Sequence, residues 1–190
     1  MNNNNSPDSL EYLVSNIDIQ DKFNNQNINI ITYKHLIEYK TLMDLLPQKI
    51  CACFILLKTS FHSGHWTVIV RYYNNIYYFD SYGVKPDGEI KHINPHLRYE
   101  LGESHKYLTE LINKSKFNVI YNNFQFQSYH EDINTCGKWC TIFAKTIIEG
   151  LTLKSFTSGI KNLKNIYVKE HPSDHSLAFD KIISMLYTTY

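Results

Sequence analysis

A cysteine at the start of a helix is the residue in this chain best suited to covalent chemistry. Cys136 follows a polar pair at 134–135 and precedes an apolar stripe that predicts a buried helix ending at Gly150. The first-turn amides of a helix lack partners and its dipole is positive there, which favours a thiolate over a thiol. Gly137 beside it would let a second backbone or a substrate come close. Cys136 is therefore the candidate nucleophile.

A histidine and an aspartate stand at the open end of a predicted β-hairpin. Two segments rich in β-branched and aromatic residues, 66–73 and 76–80, flank a pair of asparagines that predicts a tight turn. His65 precedes the first segment and Asp80 ends the second, so the two side chains should be neighbours across the strand pair. Such an acid fixes the tautomer of an imidazole, and an imidazole that reaches Cys136 can hold it as a thiolate.

The segment that enters the Cys136 helix offers two carboxamides, Gln125 and Gln127. Either could join the Cys136 backbone N–H in stabilising the oxyanion of a tetrahedral intermediate. Losing one such donor typically costs ~3 kcal/mol of barrier.

The remaining pattern predicts an α+β fold. The apolar run at 50–57 predicts a strand buried on both faces, in which two further cysteines pack, and 117–121 predicts a short strand. Helices are expected over 10–17, 32–46, 95–114 and 172–187, with a further segment at 155–166 and a surface loop at 24–29. We therefore predict a central, mostly antiparallel sheet flanked by helices, with the candidate nucleophile on a central helix.

Length and composition narrow the function classes. A chain of 190 residues that is 43% hydrophobic predicts one domain, 1–190, in which residues 1–7 are a disordered tail. The net charge of +1 supplies no positive field for nucleic acid. No apolar run approaches the ~20 residues of a membrane span. Four cysteines without an apolar leader predict a reducing, intracellular setting, and we expect no cofactor.

Four motifs occur in a fixed order along the chain. They are Gly64-His65-Trp66, Phe79-Asp80-Ser81-Tyr82-Gly83, a glutamine, and Thr135-Cys136-Gly137. Together they resemble the cysteine proteases that group the adenovirus maturation protease (adenain) with the Ulp1/SENP deSUMOylating enzymes. The resemblance is greatest to the versions encoded by large DNA viruses, virophages and polinton-type elements. It covers most of the chain, because the flanking helices are compatible with it.

The resemblance implies a role for each matching residue. It implies a papain-like or adenain-like fold with Cys136 as nucleophile, His65 as general base and acid, and Asp80 as the orienting acid where the adenoviral type has glutamate. It also implies that Trp66 packs beside the histidine and shapes a substrate groove next to Gly137.

The oxyanion donor implied by the resemblance is Gln127. The loop from Gln127 to Cys136 is longer than in the better-known members, which keeps Gln125 as an alternative.

The function implied is that of a viral thiol endopeptidase that works through a thioester. Its expected substrates are capsid or other virion protein precursors, cut at small residues such as glycine. We expect a monomer in the virion and the host cytoplasm (viral factory) that is not secreted and needs no nucleic acid, with an activating peptide as a candidate partner.

Three other functions use the same residues. One is an isopeptidase, of the deubiquitinase or deSUMOylase type, that removes host modifiers. Another is a non-catalytic module whose cysteine pocket binds a glycine-containing tail. The third is a zinc site made of His62, His65, Cys136 and Cys140, although two cysteines four residues apart on a helix do not form the usual zinc knuckle. Stoichiometric zinc in the purified protein would favour the third.

Overall fold

A computed structural model describes residues 6–24, 27–60 and 63–189 and has an α+β fold built on a five-stranded sheet. The strands are β1 (Ile28–Thr32), β2 (Ile50–Lys58), β3 (Gly64–Tyr72), β4 (Asn75–Asp80) and β5 (Val119–Tyr121). They lie side by side in chain order. The pairs β2–β3 and β3–β4 are antiparallel, whereas β1 and β5 pair in parallel at the two edges. The predicted fold class is confirmed, and the sheet is mixed.

Helices cover both faces of this sheet. They are α1 (Asn16–Lys22), α2 (Leu42–Leu45), α3 (Pro95–Leu101), α4 (Tyr107–Lys114), α5 (Cys136–Ile148), α6 (Leu153–Glu170) and α7 (Ala178–Thr189), with 3₁₀ turns at Tyr33–Glu38, Glu89–His92 and Pro172–Leu177. Within the described ranges, no helix combines the length and apolar character needed to cross a membrane.

The core is divided by the sheet into two apolar clusters. One joins the sheet to α5, α6 and α7, and the other joins it to α2 and α4. Helix α5 is central to the first cluster, because Trp139, Phe143 and Ile147 on it have no exposed surface. The Phe79 ring of β4 stacks on Phe143 with the ring centroids 4.5 Å apart. This packing fixes the start of α5 relative to the end of β4, which is where the candidate site lies.

The predicted hairpin is confirmed, with its turn displaced by one residue. Strands β3 and β4 pair from Tyr72 opposite Asn75 to Thr67 opposite Asp80. The turn is therefore 73–74 rather than the two asparagines at 74–75. Tyr73 takes a positive φ of 55°, which L-residues adopt uncommonly.

Two other predictions were wrong. The loop predicted over 24–29 overlaps β1, whose sequence Ile-Asn-Ile-Ile-Thr is rich in β-branched residues and pairs in parallel with β2. The helix predicted over 32–46 is a 3₁₀ turn followed by the one-turn helix α2. Tyr39 is extended there, and Thr41 begins α2 with a capping box that includes Asp44.

The N-terminal segment, defined here as residues 6–15, is mostly irregular where a helix over 10–17 was predicted. The helix α1 begins only at Asn16, because Ser15 caps it in a capping box with Asp18. Residues 1–5 of the predicted tail lie outside the described residues. Ser6 accepts a hydrogen bond from the Ser9 N–H through its carbonyl.

Phe79→Ala should lower the free energy of unfolding by about 3–5 kcal/mol, because it opens a cavity between β4 and α5. Tyr99→Ala is the control, since Tyr99 is 80% exposed and should cost no more than about 0.5 kcal/mol. Urea denaturation followed by circular dichroism measures both. Similar losses for the two variants would contradict this account of the core.

Candidate active site

A buried hydrogen bond joins the two ends of the β3–β4 hairpin. His65 Nε2 lies 3.2 Å from Asp80 Oδ2, and both side chains are buried. In the strand register Asp80 lies opposite Thr67, and His65 is two residues before Thr67 on β3. The other carboxylate oxygen, Oδ1, accepts the Tyr82 N–H at 2.7 Å. The hairpin therefore brings together the histidine and the aspartate that its sequence predicted to meet.

Asn122 supports the Asp80 backbone from the chain that follows β5. Its side chain is 2% exposed, and its Nδ2 donates to the Asp80 carbonyl at 2.7 Å and to the Phe124 carbonyl at 2.9 Å. A lone asparagine in a polar loop carries no sequence signal for this contact. The sequence analysis therefore missed it.

Cys136 is the first residue of α5 and is 8% exposed. Burial alone would raise the pKa of its thiol, but a hydrogen bond and the charge of His65 lower that pKa below its ordinary value. Hydrogen bonds from the backbone N–H groups of Trp66 and Gly137 act in the same direction. The sulfur is therefore held as a thiolate at a lower pH than an ordinary cysteine.

His65 shows the complementary shift. Burial alone would lower its pKa, but the Asp80 carboxylate, and to a smaller extent Cys136, raise that pKa well above the ordinary value. Because Nε2 faces Asp80, Nδ1 is the ring nitrogen left for Cys136. The two groups together favour a thiolate facing an imidazolium, which is the reactive state of a cysteine nucleophile.

Two tyrosine rings extend from the imidazole as a stack. Tyr82 lies 4.9 Å from His65 between ring centroids, at an interplanar angle of 20°. Tyr129 in turn stacks on Tyr82 at 4.4 Å and 12°, and is itself 67% exposed. The electron-rich faces of such rings favour a neighbouring cation. This stack restricts the orientation of the imidazole plane.

The two candidate oxyanion donors occupy different environments. Gln127 is 2% exposed, whereas Gln125 is exposed and donates its amide N–H to the Gln127 carbonyl at 3.0 Å. The Gln127 Nε2 donates to the Ile133 carbonyl at 2.9 Å. A primary amide has two N–H groups, so this bond leaves one for a ligand. The geometry favours Gln127 over Gln125.

Ser81, directly after Asp80, fixes the orientation of this amide. Its hydroxyl donates to Gln127 Oε1 at 2.8 Å, which places the amide nitrogen on the opposite side. Its carbonyl accepts the backbone N–H groups of Phe126 and Gln127 at 2.8 and 3.0 Å. The motif that ends β4 therefore positions both the aspartate and the glutamine.

The N-terminal segment (residues 6–15) is bound across these elements. The Trp66 indole N–H donates to the Val14 carbonyl at 2.9 Å, and the Asn134 backbone N–H donates to the Leu10 carbonyl at 2.8 Å. The Lys138 ammonium donates to the Ser9 carbonyl at 2.6 Å. A segment 50 or more residues before His65 in the sequence thus becomes part of the site.

A cleft of about 500 Å³ opens between this segment and the edge of the sheet. Its lining is largely apolar and includes Leu13, Val14, Ile31, Leu56, Trp66 and Cys136. Trp66 thus lines the cleft, whereas Gly137 does not and packs against Val14 instead. A Cβ added to Gly137 would lie 2.6 Å from the Val14 Cβ, so the absence of a side chain serves the packing of Val14.

The other cysteines differ chemically from Cys136. All four thiols are free, and burial raises the pKa of Cys51, Cys53 and Cys140. The Cys140 thiol donates to the Trp66 carbonyl at 3.2 Å. Among the described residues, no three His, Cys, Asp or Glu side chains could hold a metal ion together. His62 of the zinc alternative lies outside those residues.

Comparison with known proteins identifies a relative in a virophage. No protein-family model matches the chain. The chain is 32% identical over 174 residues to "Uncharacterized protein V9" of Sputnik virophage, covering 91% of this chain and 93% of the relative.

Solved structures show the fold. The crystal structure of the ASFV pS273R protease matches 80% of this chain with a TM-score of 0.50 and 14% identity, and the match spans 63% of that protease. A structure of the SUMO protease Ulp1 matches 100% of this chain and 86% of its own with 15% identity and a TM-score of 0.41. The viral protease structure confirms the predicted fold, and the virophage relative confirms the predicted likeness to virophage proteins.

Alkylation of Cys136 by iodoacetamide should depend on His65. In the wild type the lowered pKa keeps the thiolate populated as pH falls below the ordinary cysteine value of 9.0. His65→Ala removes the stabilising partner but not the burial, so the pKa should rise and the rate at pH 7 should fall tenfold or more, about 1.4 kcal/mol. Mass spectrometry of the Cys136 peptide measures the rate.

The control for this experiment is His96→Ala, because the His96 side chain is 83% exposed on α3. It should leave the alkylation rate unchanged. Equal rates for wild type and His65→Ala across pH 5–9 would show that His65 does not activate the thiol.

Proposed function

The chain belongs to the same protein family as protein V9 of Sputnik virophage, and from that premise we propose that it is a viral cysteine endopeptidase. One observation carries the proposal. A buried His65–Asp80 hydrogen bond is combined with a cysteine at a helix N-terminus whose pKa His65 lowers. A merely packed cysteine has no need of a base that is itself held by an acid.

The proposed reaction is acyl transfer through a thioester. The Cys136 thiolate attacks the carbonyl carbon of the scissile bond and forms a tetrahedral intermediate. The His65 imidazolium gives its proton to the amine as the C–N bond breaks, which leaves an acyl group on the sulfur. His65, now neutral, then takes a proton from the water that attacks the thioester, and the C–S bond breaks to release the acid and the Cys136 thiolate. Asp80 holds the imidazole orientation and stabilises its charged form.

Gln127 is the proposed side-chain donor of the oxyanion hole, together with the Cys136 backbone N–H. Its amide is buried and oriented by Ser81, and one of its N–H groups remains available for the developing charge. Preorganised donors of this kind cost no reorganisation when the reaction occurs.

The cleft supports a protein substrate with small residues beside the scissile bond. Cys136 is only 8% exposed and Trp66 only 7%, and the Val14 carbonyl is bound to the Trp66 indole beside the sulfur. We therefore expect a small side chain next to the reacting carbonyl, because little of Cys136 or Trp66 is open to a substrate. Protein precursors of the virion, cut at glycine-type sites, fit both the narrow approach and the virophage relationship.

We also propose that the chain acts as one monomeric domain in the virion and host cytoplasm, with an activating peptide as a candidate partner. The two apolar clusters on opposite faces of the same sheet support one folding unit.

Cys136→Ala should abolish cleavage of virion precursor proteins while leaving the circular dichroism spectrum unchanged. His65→Ala should lower the cleavage rate by roughly 10²–10⁴-fold, because it removes the proton transfers. Asp80→Asn should lower it less, because the imidazole remains. The substrates are recombinant virion precursor proteins encoded by the same genome as this chain, and gel electrophoresis measures their cleavage.

The matched control is Cys51→Ala, which removes a buried thiol on the other face of the sheet and should keep full activity. Cleavage of any precursor at the wild-type rate by Cys136→Ala would rule out the mechanism. Release of ubiquitin-like modifiers with no precursor cleavage would instead identify an isopeptidase.

Gln127→Ala should lower kcat by about 10²–10³-fold with little change in KM, as expected for a lost oxyanion donor. Gln125→Ala is the paired variant and should change kcat less than threefold, because the Gln125 side chain is exposed, whereas the Gln127 side chain is buried and oriented by Ser81. Steady-state kinetics on a cleaved peptide distinguish them. The reverse ranking would transfer the role to Gln125.

A further inference from the structure

The loop that joins the proposed oxyanion donor to the nucleophile, residues 128–135, is tethered at both ends by one side chain. We propose that Asp180, on the C-terminal helix α7, is a positioning residue that sets the placement of Gln127 relative to Cys136. This inference rests on the proposed function, because it gives a role in the same reaction to a residue some 40 positions after the nucleophile in the sequence.

Asp180 bonds to the residue after Gln127 and to the residue before Cys136. Its Oδ2 accepts the Ser128 backbone N–H at 3.0 Å, and its Oδ1 accepts the Thr135 hydroxyl at 2.5 Å. A third contact lies beside it, since the Ser128 hydroxyl donates to the Ser176 carbonyl at 3.2 Å. A single carboxylate therefore fixes the separation of the two loop ends.

The bond to Thr135 also affects the start of α5. Thr135 is the N-cap residue, yet its side chain makes no capping hydrogen bond. A threonine hydroxyl at this position ordinarily accepts a first-turn N–H. Because the hydroxyl donates to Asp180 instead, it leaves a first-turn amide available to an oxyanion.

The tethered loop also carries the contact that orients the Gln127 amide. The carbonyl of Ile133, within the loop, accepts a hydrogen bond from Gln127 Nε2. Release of the loop ends would therefore move Ile133 and Ser128, the neighbours of Gln127, and with them the amide. The His65–Asp80 pair stands on a separate hairpin and would stay in place.

A buried carboxylate is a costly way to obtain stability alone. Asp180 has no exposed surface, and removing a charge from water costs several kcal/mol unless partners replace the water. Its oxygens accept hydrogen bonds from the two loop ends, while the Trp139 side chain on α5 adds a further contact and the Lys138 charge acts at longer range. A carboxylate whose hydrogen bonds go to the two ends of the active-site loop fits a role in positioning it.

The experiment compares two probes of Cys136 at one pH. Alkylation by iodoacetamide reports the thiolate and needs no oxyanion hole. Reversible binding of the peptide aldehyde acetyl-glycyl-glycinal forms a hemithioacetal whose oxygen occupies the oxyanion site. The variants are Asp180→Ala and Asp180→Leu, which remove both tethers, and Thr135→Val, which removes one with little change in shape. Met185→Ala, at a half-exposed position of α7, is the control.

Asp180→Ala and Asp180→Leu should weaken aldehyde binding tenfold or more while changing the alkylation rate less than threefold. The affinity of Thr135→Val for the aldehyde should lie between that of these two variants and that of the wild type. Asp180→Asn should bind the aldehyde within threefold of wild type. Its oxygen can accept the Ser128 N–H, and its amide can donate to a reversed Thr135 hydroxyl.

Two results would overturn the role of Asp180. One is undiminished aldehyde binding in Asp180→Leu and Thr135→Val. The other is a parallel loss of alkylation and aldehyde binding, which would indicate a general disruption of the site. Failure of the wild type itself to bind the aldehyde would contradict the proposed function instead, so the two failures are distinguishable.

Discussion

The buried hydrogen bond between His65 and Asp80 is the interaction on which the site depends. Burial alone would favour the neutral forms of both His65 and Cys136. The Asp80 carboxylate offsets this cost for the imidazolium, and the imidazolium offsets it for the thiolate. The carboxylate is in turn held by the Tyr82 N–H at 2.7 Å. A thiolate can therefore form where only 8% of the cysteine surface meets water.

Parts of the chain far apart in sequence converge on the first turn of α5. The β3–β4 hairpin brings the histidine and aspartate, and Ser81 after it orients Gln127. The N-terminal segment covers the Gly137 backbone and lines the cleft. The C-terminal helix α7 reaches the same turn through Asp180. The fold is thus arranged around one helix terminus, at which the dipole and free amides favour negative charge.

What the sequence predicted well was local. The hairpin pattern and the apolar stripe of α5 are short-range signals, so the neighbourhood of His65 and Asp80 and the helix position of Cys136 could be read without the rest of the fold. The edge strand β1 could not, because its parallel partner β2 lies about 20 residues away. The contacts of Val14 and Asp180 depend on the packing of both chain ends. Neither residue type signals such a role by itself, and Gly137 indicated a close approach without indicating that Val14 would make it.

The most direct test of the central claim is to trap the acyl-enzyme. Wild-type protein is incubated briefly with an activated ester of a glycine-ended peptide, quenched in acid, and mapped by mass spectrometry. The account predicts the acyl mass on the peptide that contains Cys136, its removal by hydroxylamine, and its absence after Cys136→Ala. Hydrolysis of the ester with no adduct on Cys136, at a rate that Cys136→Ala does not change, would contradict it.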